Sequence, residues 1–334
     1  MTVCVACFIH RLLAIHLTMP SPTHITEVAV AVITAPDGRF LLARRPEGKP
    51  YAGYWEFPGG KVNPDEPLLH ALRRELLEEL GIFVEHAYPW ITRTFNYSHA
   101  SVRLYFYRVV KWHGQPQPRE NQELAWQSAA NVWVEPMLPA NAPVLRALDL
   151  PAIYAITNAA ELGTDIALTR IEHALKGGVR LLQVREKAMP EKALNAFIGA
   201  LIALGHRHGA RVLVNGSIDN IDFYRKAGVD GLHLASRQLM DIAKRPDVEW
   251  CGASCHNAEE LFRAEQLGMD FAVLAPVLPT LSHPGSATLG WQRFAALIRD
   301  CSIPVYALGG LHREDLTTAW EHGAHGVAMM RGIG

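Results

Sequence analysis

Two rhythms of apolar residues run along this chain, and the change from one to the other divides it. In the first part, Glu27–Thr34 (EVAVAVIT) and Val102–Val110 (VRLYFYRVV) read as strands. Pro36-Asp37-Gly38 marks a turn, which predicts that Arg39–Arg44 (RFLLAR) returns as the second arm of a hairpin. Leu68, Leu69, Leu72, Leu76, Leu77 and Leu80 recur at helical spacing. Residues 68–80 should therefore form a helix with an apolar stripe, stopped by Gly81. Asn131–Val134 leads to a final helix near Ala142–Leu148. That order predicts an α+β domain.

Beyond Asp149-Leu150-Pro151 the order becomes strand, helix, strand, helix. Eight short apolar runs follow: Ile153–Thr157, Leu181–Arg185, Val212–Asn215, Gly231–Leu234, Cys251–Ser254, Phe271–Pro276, Val305–Gly309 and Gly326–Met330. Helical segments such as Glu191–His208 and Ala258–Leu267 lie between most of them. Parallel strands with crossover helices predict a (β/α)8 barrel of the TIM type. The chain stops at Gly334, just after the eighth run, so the usual last helix is expected to be missing. The predicted layout is a disordered or misassigned extension at 1–22, an α+β domain at 23–148 and a barrel at 149–334.

Composition adds exclusions. The 334 residues carry a net charge of −1, with 19% charged and 49% hydrophobic residues, as expected of a soluble two-domain chain. This balance leaves no electrostatic footprint for duplex nucleic acid or an anionic membrane. A negatively charged small ligand then needs a local site or a metal. Residues 1–18 are apolar but too short to span a bilayer, and they lack the basic region and cleavage site of a signal peptide. Met19 is an alternative start. The five cysteines are odd in number and scattered, which points to a reducing, cytoplasmic setting. Cys4-x-x-Cys7 has no matching second pair and reads as chance.

The chemistry concentrates in residues 57–82, FPGGKVNPDEPLLHALRRELLEELGI. At about 100° per residue, Glu75, Glu78 and Glu79 fall within an arc of roughly 100°, and Glu79 lands beside Leu72 at the edge of the apolar stripe. Carboxylates at this spacing repel one another. A divalent cation would remove that cost, and hard cations take oxygen ligands. Gly59-Gly60 lets backbone approach a metal or phosphate closely. Arg74 is placed to orient Glu66 or Glu78.

This segment resembles the Nudix box, G-x5-E-x7-R-E-U-x-E-E-x-G-U with U aliphatic. Gly60, Glu66, Arg74, Glu75, Leu76, Glu78, Glu79, Gly81 and Ile82 fill its fixed positions. The resemblance implies a mixed sheet between helices and hydrolysis of a nucleoside diphosphate linked to another moiety. It also implies magnesium, with manganese as an alternative. By position, Glu78 and Glu79 would be the principal ligands, and Glu75 a ligand or the general base. The Gly59 carbonyl would add a ligand, while Glu66 and Arg74 hold loop and helix together.

Two further runs resemble the MutT type, the 8-oxo-dGTP diphosphatases. In WHGQPQPRENQELAW (112–126), Glu120 matches a glutamate that completes the metal site; the alternative is a surface loop residue. In LPANAPVL (138–145), Asn141 matches an asparagine that reads the purine base; the alternative is a helix N-cap. Arg45 would reach base or phosphate, or is simply a surface cation. Phe57 would wall the base pocket, or is core. This subfamily releases a nucleoside monophosphate and pyrophosphate, sanitising the nucleotide pool ahead of DNA replication and repair. A thiamine-related diphosphate is the competing substrate.

LLQVREK (181–187), ASCHNAEE (253–260), APVLPT (275–280) and ALGG (307–310) resemble thiamine phosphate synthase and its TenI-like relatives. The resemblance places substrate or pyrophosphate on Gln183, Arg185 and Lys187, and phosphate on Gly309-Gly310. The synthase's Asn-Asp-Arg is here Asn215-Gly216-Ser217, and its His-Leu-Gly-Gln-x-Asp is His233-Leu234-Ala235-Ser236-Arg237-Gln238. Both magnesium aspartates are replaced, and His283 stands where a lysine is expected, so no thiamine phosphate synthesis is expected. His256 is either a base for TenI-like proton transfer or a structural histidine. A non-catalytic phosphate-ligand sensor is the other reading of the barrel.

Overall fold

The computed structural model describes residues 25–97, 100–280, 285 and 287–333. The Cys4 to Cys7 pair, Met19 and His283 lie outside the described residues.

The first domain holds β1 (Ile25–Ile33), β2 (Phe40–Arg44), β3 (Trp55–Glu56), β4 (Gly59–Lys61), α1 (Leu68–Leu80), β5 (Phe83–Asn96), β6 (Ser101–His113), β7 (Leu124–Gln127) and α2 (Ala142–Leu148). They form a four-stranded mixed sheet, β4-β1-β6-β5, and a three-stranded sheet, β3-β2-β7. Alternation along β1 explains why it sits at the centre: Val30 and Val32 enter one core with Val144 and Ala147 of α2. Ala29, Ala31 and Ile33 enter another with Leu72, Leu76 and Leu80 of α1. Gly81 ends α1 in the left-handed conformation, φ 70°, as the leucine spacing predicts.

The expected hairpin of β1 and β2 does not form. The 36–38 turn is present, but β1 already has β4 on one edge and β6 on the other. β2 leaves to pair with β3 and β7, and a single bridge, Thr34 to Phe40, marks where the two strands part.

Eight strands close the second domain: β8 (Ile153–Ile156), β9 (Leu181–Val184), β10 (Arg211–Val214), β11 (Gly231–Leu234), β12 (Trp250–Cys255), β13 (Phe271–Leu274), β14 (Val305–Leu308) and β15 (Gly326–Met329). All eight predicted runs are strands, each parallel to its neighbours. Tyr154, Leu181, Leu213, Phe271 and Tyr306 fill the interior, while Ala155, Leu182, Val212 and Leu232 face the surrounding helices. Among the described residues no helix follows β15, and none is long and apolar enough to cross a membrane. Cys251, Cys255 and Cys301 are buried free thiols.

The first domain covers the N-terminal end of the barrel. Thr92 N–H donates to the Cys301 carbonyl at 3.0 Å, and Arg93 donates to the Ser302 carbonyl at 2.8 Å. Arg108 of β6 donates to the His325 carbonyl at 2.7 Å, with its guanidinium 4.3 Å above the Trp90 ring. Burial pushes the Arg108 pKa down to about 9. The Arg146 and Arg211 guanidinium groups lie over the Trp250 ring, at 3.9 and 4.6 Å. Each of these barrel groups precedes or opens a strand, so the C-terminal rim is left free.

Candidate active site

Arg74 organises the first site. Its Nε and Nη2 take the Glu66 carboxylate bidentately at 2.9 and 2.8 Å, and Nη2 also reaches the Lys61 carbonyl at 3.0 Å. Nη1 holds Glu75 at 2.7 Å and touches Glu78 at 3.4 Å. One guanidinium thus ties the 59–66 loop to α1. The Arg74 bonds, with help from the Asn63 N–H, hold the Glu66 carboxyl down to about 2. The loop passes close enough that a Cβ on Gly60 would sit 2.1 Å from the Glu75 carboxylate.

Glu79 is half-buried and accepts a hydrogen bond from Gly59 N–H at 3.3 Å. Burial pushes its pKa up to about 7, and the nearby charges of Glu120, Glu75 and Glu56 add to the rise. Glu120 accepts from Lys49 Nζ at 2.8 Å. Among the described residues, no three carboxylate, thiol or imidazole side chains already converge as a ligand set: Glu75 is turned to Arg74 and Glu120 to Lys49.

At the C-terminal end of the barrel lies a cavity of about 820 Å3, lined by Gln183, Arg185, Lys187, His256, Gly309 and Gly310 among others. Gln183 is at the floor and donates to the Tyr154 hydroxyl at 2.9 Å. That hydroxyl lies 3.2 Å from His233 Nδ1, and His233 Nε2 lies 3.0 Å from Ser254 Oγ. Burial, then the charge of Arg185, drives the His233 pKa down to about 3, so the ring is neutral. His256 Nδ1 is 3.0 Å from the Glu260 carboxylate. Among the described residues lining the cavity none is acidic.

Residues 24–148 match the NUDIX domain family model, and residues 153–333 match that of thiamine monophosphate synthase, TMP-TENI. The chain belongs to both families. Its first domain is 42% identical over 118 residues to the CTP pyrophosphohydrolase of Escherichia coli, covering 35% of this chain and 87% of that one. Its second is 33% identical over 183 residues to putative thiamine-phosphate synthase 2 of Aquifex aeolicus, covering 54% of this chain and 96% of that one. A solved structure from a study of MutT of Aliivibrio salmonicida and Vibrio cholerae is 31% identical, covers 37% of this chain and 97% of its own, and has a TM-score of 0.33.

The Nudix residues suit a divalent cation. The half-buried Glu79 carboxylate, its pKa raised by burial and then by neighbouring carboxylates, accepts a backbone N–H, and its hard oxygen donors match magnesium. The barrel residues do not suit one. A Cβ on Gly216, where the synthase has an aspartate, would meet the Tyr224 hydroxyl at 2.2 Å. That tyrosine occupies the space an acidic side chain would need.

Asn141 is 4% exposed and makes no capping bond, so its side chain does not serve as the helix N-cap. Its Nδ2 is buried without a partner among the described residues. Its segment is laced to β3, with Trp55 N–H donating to the Pro136 carbonyl and Leu138 N–H to that of Trp55. That lacing fixes Asn141 beside the strand leading into the Nudix loop. Arg45 is engaged by Glu56 at 2.6 Å and by the Pro50 carbonyl at 2.7 Å. Phe57 is 3% exposed and packs between Phe40 and Phe106, which makes it a core ring. Sequence reading missed Lys49, whose glycine-bounded loop carries no motif, and Tyr154 and Tyr224, which read as ordinary core positions.

Proposed function

We propose that the Nudix domain hydrolyses 8-oxo-dGTP to 8-oxo-dGMP and pyrophosphate with magnesium or manganese, removing an oxidised nucleotide from the pool. The observation that carries this reading is the buried amide of Asn141, unpartnered among the described residues. A buried donor without an acceptor is costly, and a base carbonyl such as guanine O6 supplies the acceptor. Arg74 fixes Glu75 and Glu66, so loop and helix face the diphosphate together. A divalent ion on Glu75, Glu78, Glu79, Glu120 and the Gly59 carbonyl would neutralise diphosphate charge and acidify water. Glu75 or a neighbouring carboxylate accepts the proton.

The 42% identity to a CTP pyrophosphohydrolase supports a second reading, in which the same amide pairs with the cytosine carbonyl. A turnover panel of 8-oxo-dGTP, dGTP, CTP, ADP-ribose and thiamine diphosphate separates the readings. Asn141→Ala should lower kcat/KM for the preferred nucleotide by about thirtyfold, the cost of one buried hydrogen bond to a base. It should leave thiamine diphosphate turnover unchanged. A preference for CTP would replace the oxidised-guanine assignment, and a preference for thiamine diphosphate would remove both.

The barrel reads as an accessory domain that binds a phosphorylated small molecule without metal and does not synthesise thiamine phosphate. Its support is a cavity lined by Arg185 and Lys187, with no acid among its described lining residues, and the packing of Tyr224 against Gly216, where the synthase resemblance expects an aspartate. Inorganic pyrophosphate should bind equally well with magnesium or with chelator. The double change Arg185→Ala, Lys187→Ala should weaken it by about thirtyfold. Strict magnesium dependence of that binding would overturn this reading.

A further inference from the structure

The Nudix loop between β2 and β3 carries two cations with different commitments. The loop folds back on its base, where Arg45 N–H donates to the Tyr54 carbonyl and Gly53 N–H to that of Arg45. The Arg45 side chain locks this base through Glu56 and the Pro50 carbonyl. Its Nε and Nη1 are employed as a brace.

Lys49 rides at the tip and makes one contact of a different kind. Its Nζ meets Glu120 at 2.8 Å, with the lysine 46% and the glutamate 42% exposed. An isolated pair this exposed is weak, which is also the simple alternative: a surface ion pair with no role. Its surroundings argue otherwise. Gln122 ties that glutamate to the end of α1: its Oε1 accepts from the Glu120 N–H at 2.7 Å, and its Nε2 donates to the Glu79 carbonyl at 2.9 Å. The ammonium therefore rests against a loop fastened to Glu79, and on the acid the MutT resemblance gives to the metal.

We propose that Lys49 is a displaceable counter-cation of the Nudix site, pairing with Glu120 while no metal is bound and turning to the substrate's phosphates once a divalent ion takes that carboxylate. A divalent ion on Glu79 and Glu120 repels the ammonium and removes its partner. The flexible four-carbon stem lets a compact charge swing, and a phosphate oxygen is a strong acceptor for it. Arg45 cannot substitute, because its guanidinium braces the loop. The inference rests on the Nudix reading of the carboxylates as metal ligands.

The test separates the two. Manganese binding is measured by electron paramagnetic resonance on nucleotide-free full-length protein for wild type, Lys49→Met, Lys49→Arg and Glu79→Gln. KM and kcat for 8-oxo-dGTP and CTP are measured on the two lysine variants. With its competitor removed, Lys49→Met should bind manganese about fivefold more tightly. Its KM should rise about tenfold with kcat within about threefold of wild type. Lys49→Arg should restore both. Manganese affinity unchanged or weakened in Lys49→Met, or an unchanged KM, overturns the proposal. If Glu79→Gln binds manganese as wild type does, the metal-site reading itself fails, whatever Lys49 does. Melting curves of the lysine variants should match wild type, because the loop is braced by Arg45.

Discussion

Glu79→Gln should lower kcat by at least about a thousandfold, the effect of losing several kcal/mol of charge stabilisation at the diphosphate. Glutamine keeps the shape of glutamate, and its amide oxygen still accepts the Gly59 N–H. What disappears is one half-buried charge, held near Glu120, Glu75 and Glu56, whose pKa is already pushed up to about 7. Removing a repelled, half-buried charge does not weaken the fold, so the variant should melt at or above the wild-type temperature. Loss of activity without loss of stability is what distinguishes a ligand from a structural acid. Steady-state turnover with excess magnesium, alongside a thermal melt, reads both quantities. Turnover within tenfold of wild type would mean that the carboxylates are only a solvated helix face. A large drop accompanied by a lower melting temperature would mean that Glu79 holds the 59–66 loop in place instead.

The parts of the molecule that were legible beforehand share a physical cause. Helix α1 repeats leucines at helical spacing because it has one face to bury, and the eight barrel strands are short continuous apolar runs because they bury both faces. Period failed where partners decide the outcome. β5, FVEHAYPWITRTFN, contains Pro89 and three register shifts against β6, which break the alternation that announces a strand. The turn at 36–38 signalled a reversal correctly, yet whether two strands then pair depends on which edges β4 and β6 already occupy.

The candidate site divides the same way. The acids of α1 were legible from spacing, since a carboxylate beside a leucine stripe is anomalous on its own helix. Arg45 and Phe57 were placed near the site, but a single residue's direction depends on neighbours distant in sequence: Glu56 claims the arginine, and Phe40 and Phe106 enclose the ring. Lys49 and Glu120 lie 71 positions apart, and nothing local joins them. The docking of the Nudix sheet on the barrel is likewise invisible locally. Arg108 reads as one cation in an alternating strand until His325, 217 positions away, takes it.

The two glycines of the Nudix loop should separate under substitution, because each is small for a different reason. A Cβ on Gly59 would lie 2.2 Å from the Ala29 carbonyl oxygen, and the residue sits at φ 144°. The clash is with backbone of the central strand, so Gly59→Ala should disrupt the β1 to β4 pairing and lower stability together with activity. Gly60 is outside the left-handed region, and its Cβ would meet the Glu75 carboxylate first, at 2.1 Å. That group is the far end of a flexible side chain and can move. Gly60→Ala should therefore keep stability within about 1 kcal/mol of wild type, since alanine also restricts the unfolded chain. In moving, the carboxylate loses its 2.7 Å bond to Arg74 and its place on the α1 face. A displacement of this size costs about a hundredfold in kcat/KM when the group acts on the reacting atoms. Chemical denaturation and steady-state kinetics on both variants check the contrast. Full activity in Gly60→Ala would remove Glu75 from the reaction and leave proton acceptance to another carboxylate. Equal destabilisation of the two variants would show instead that Glu75 buttresses the loop.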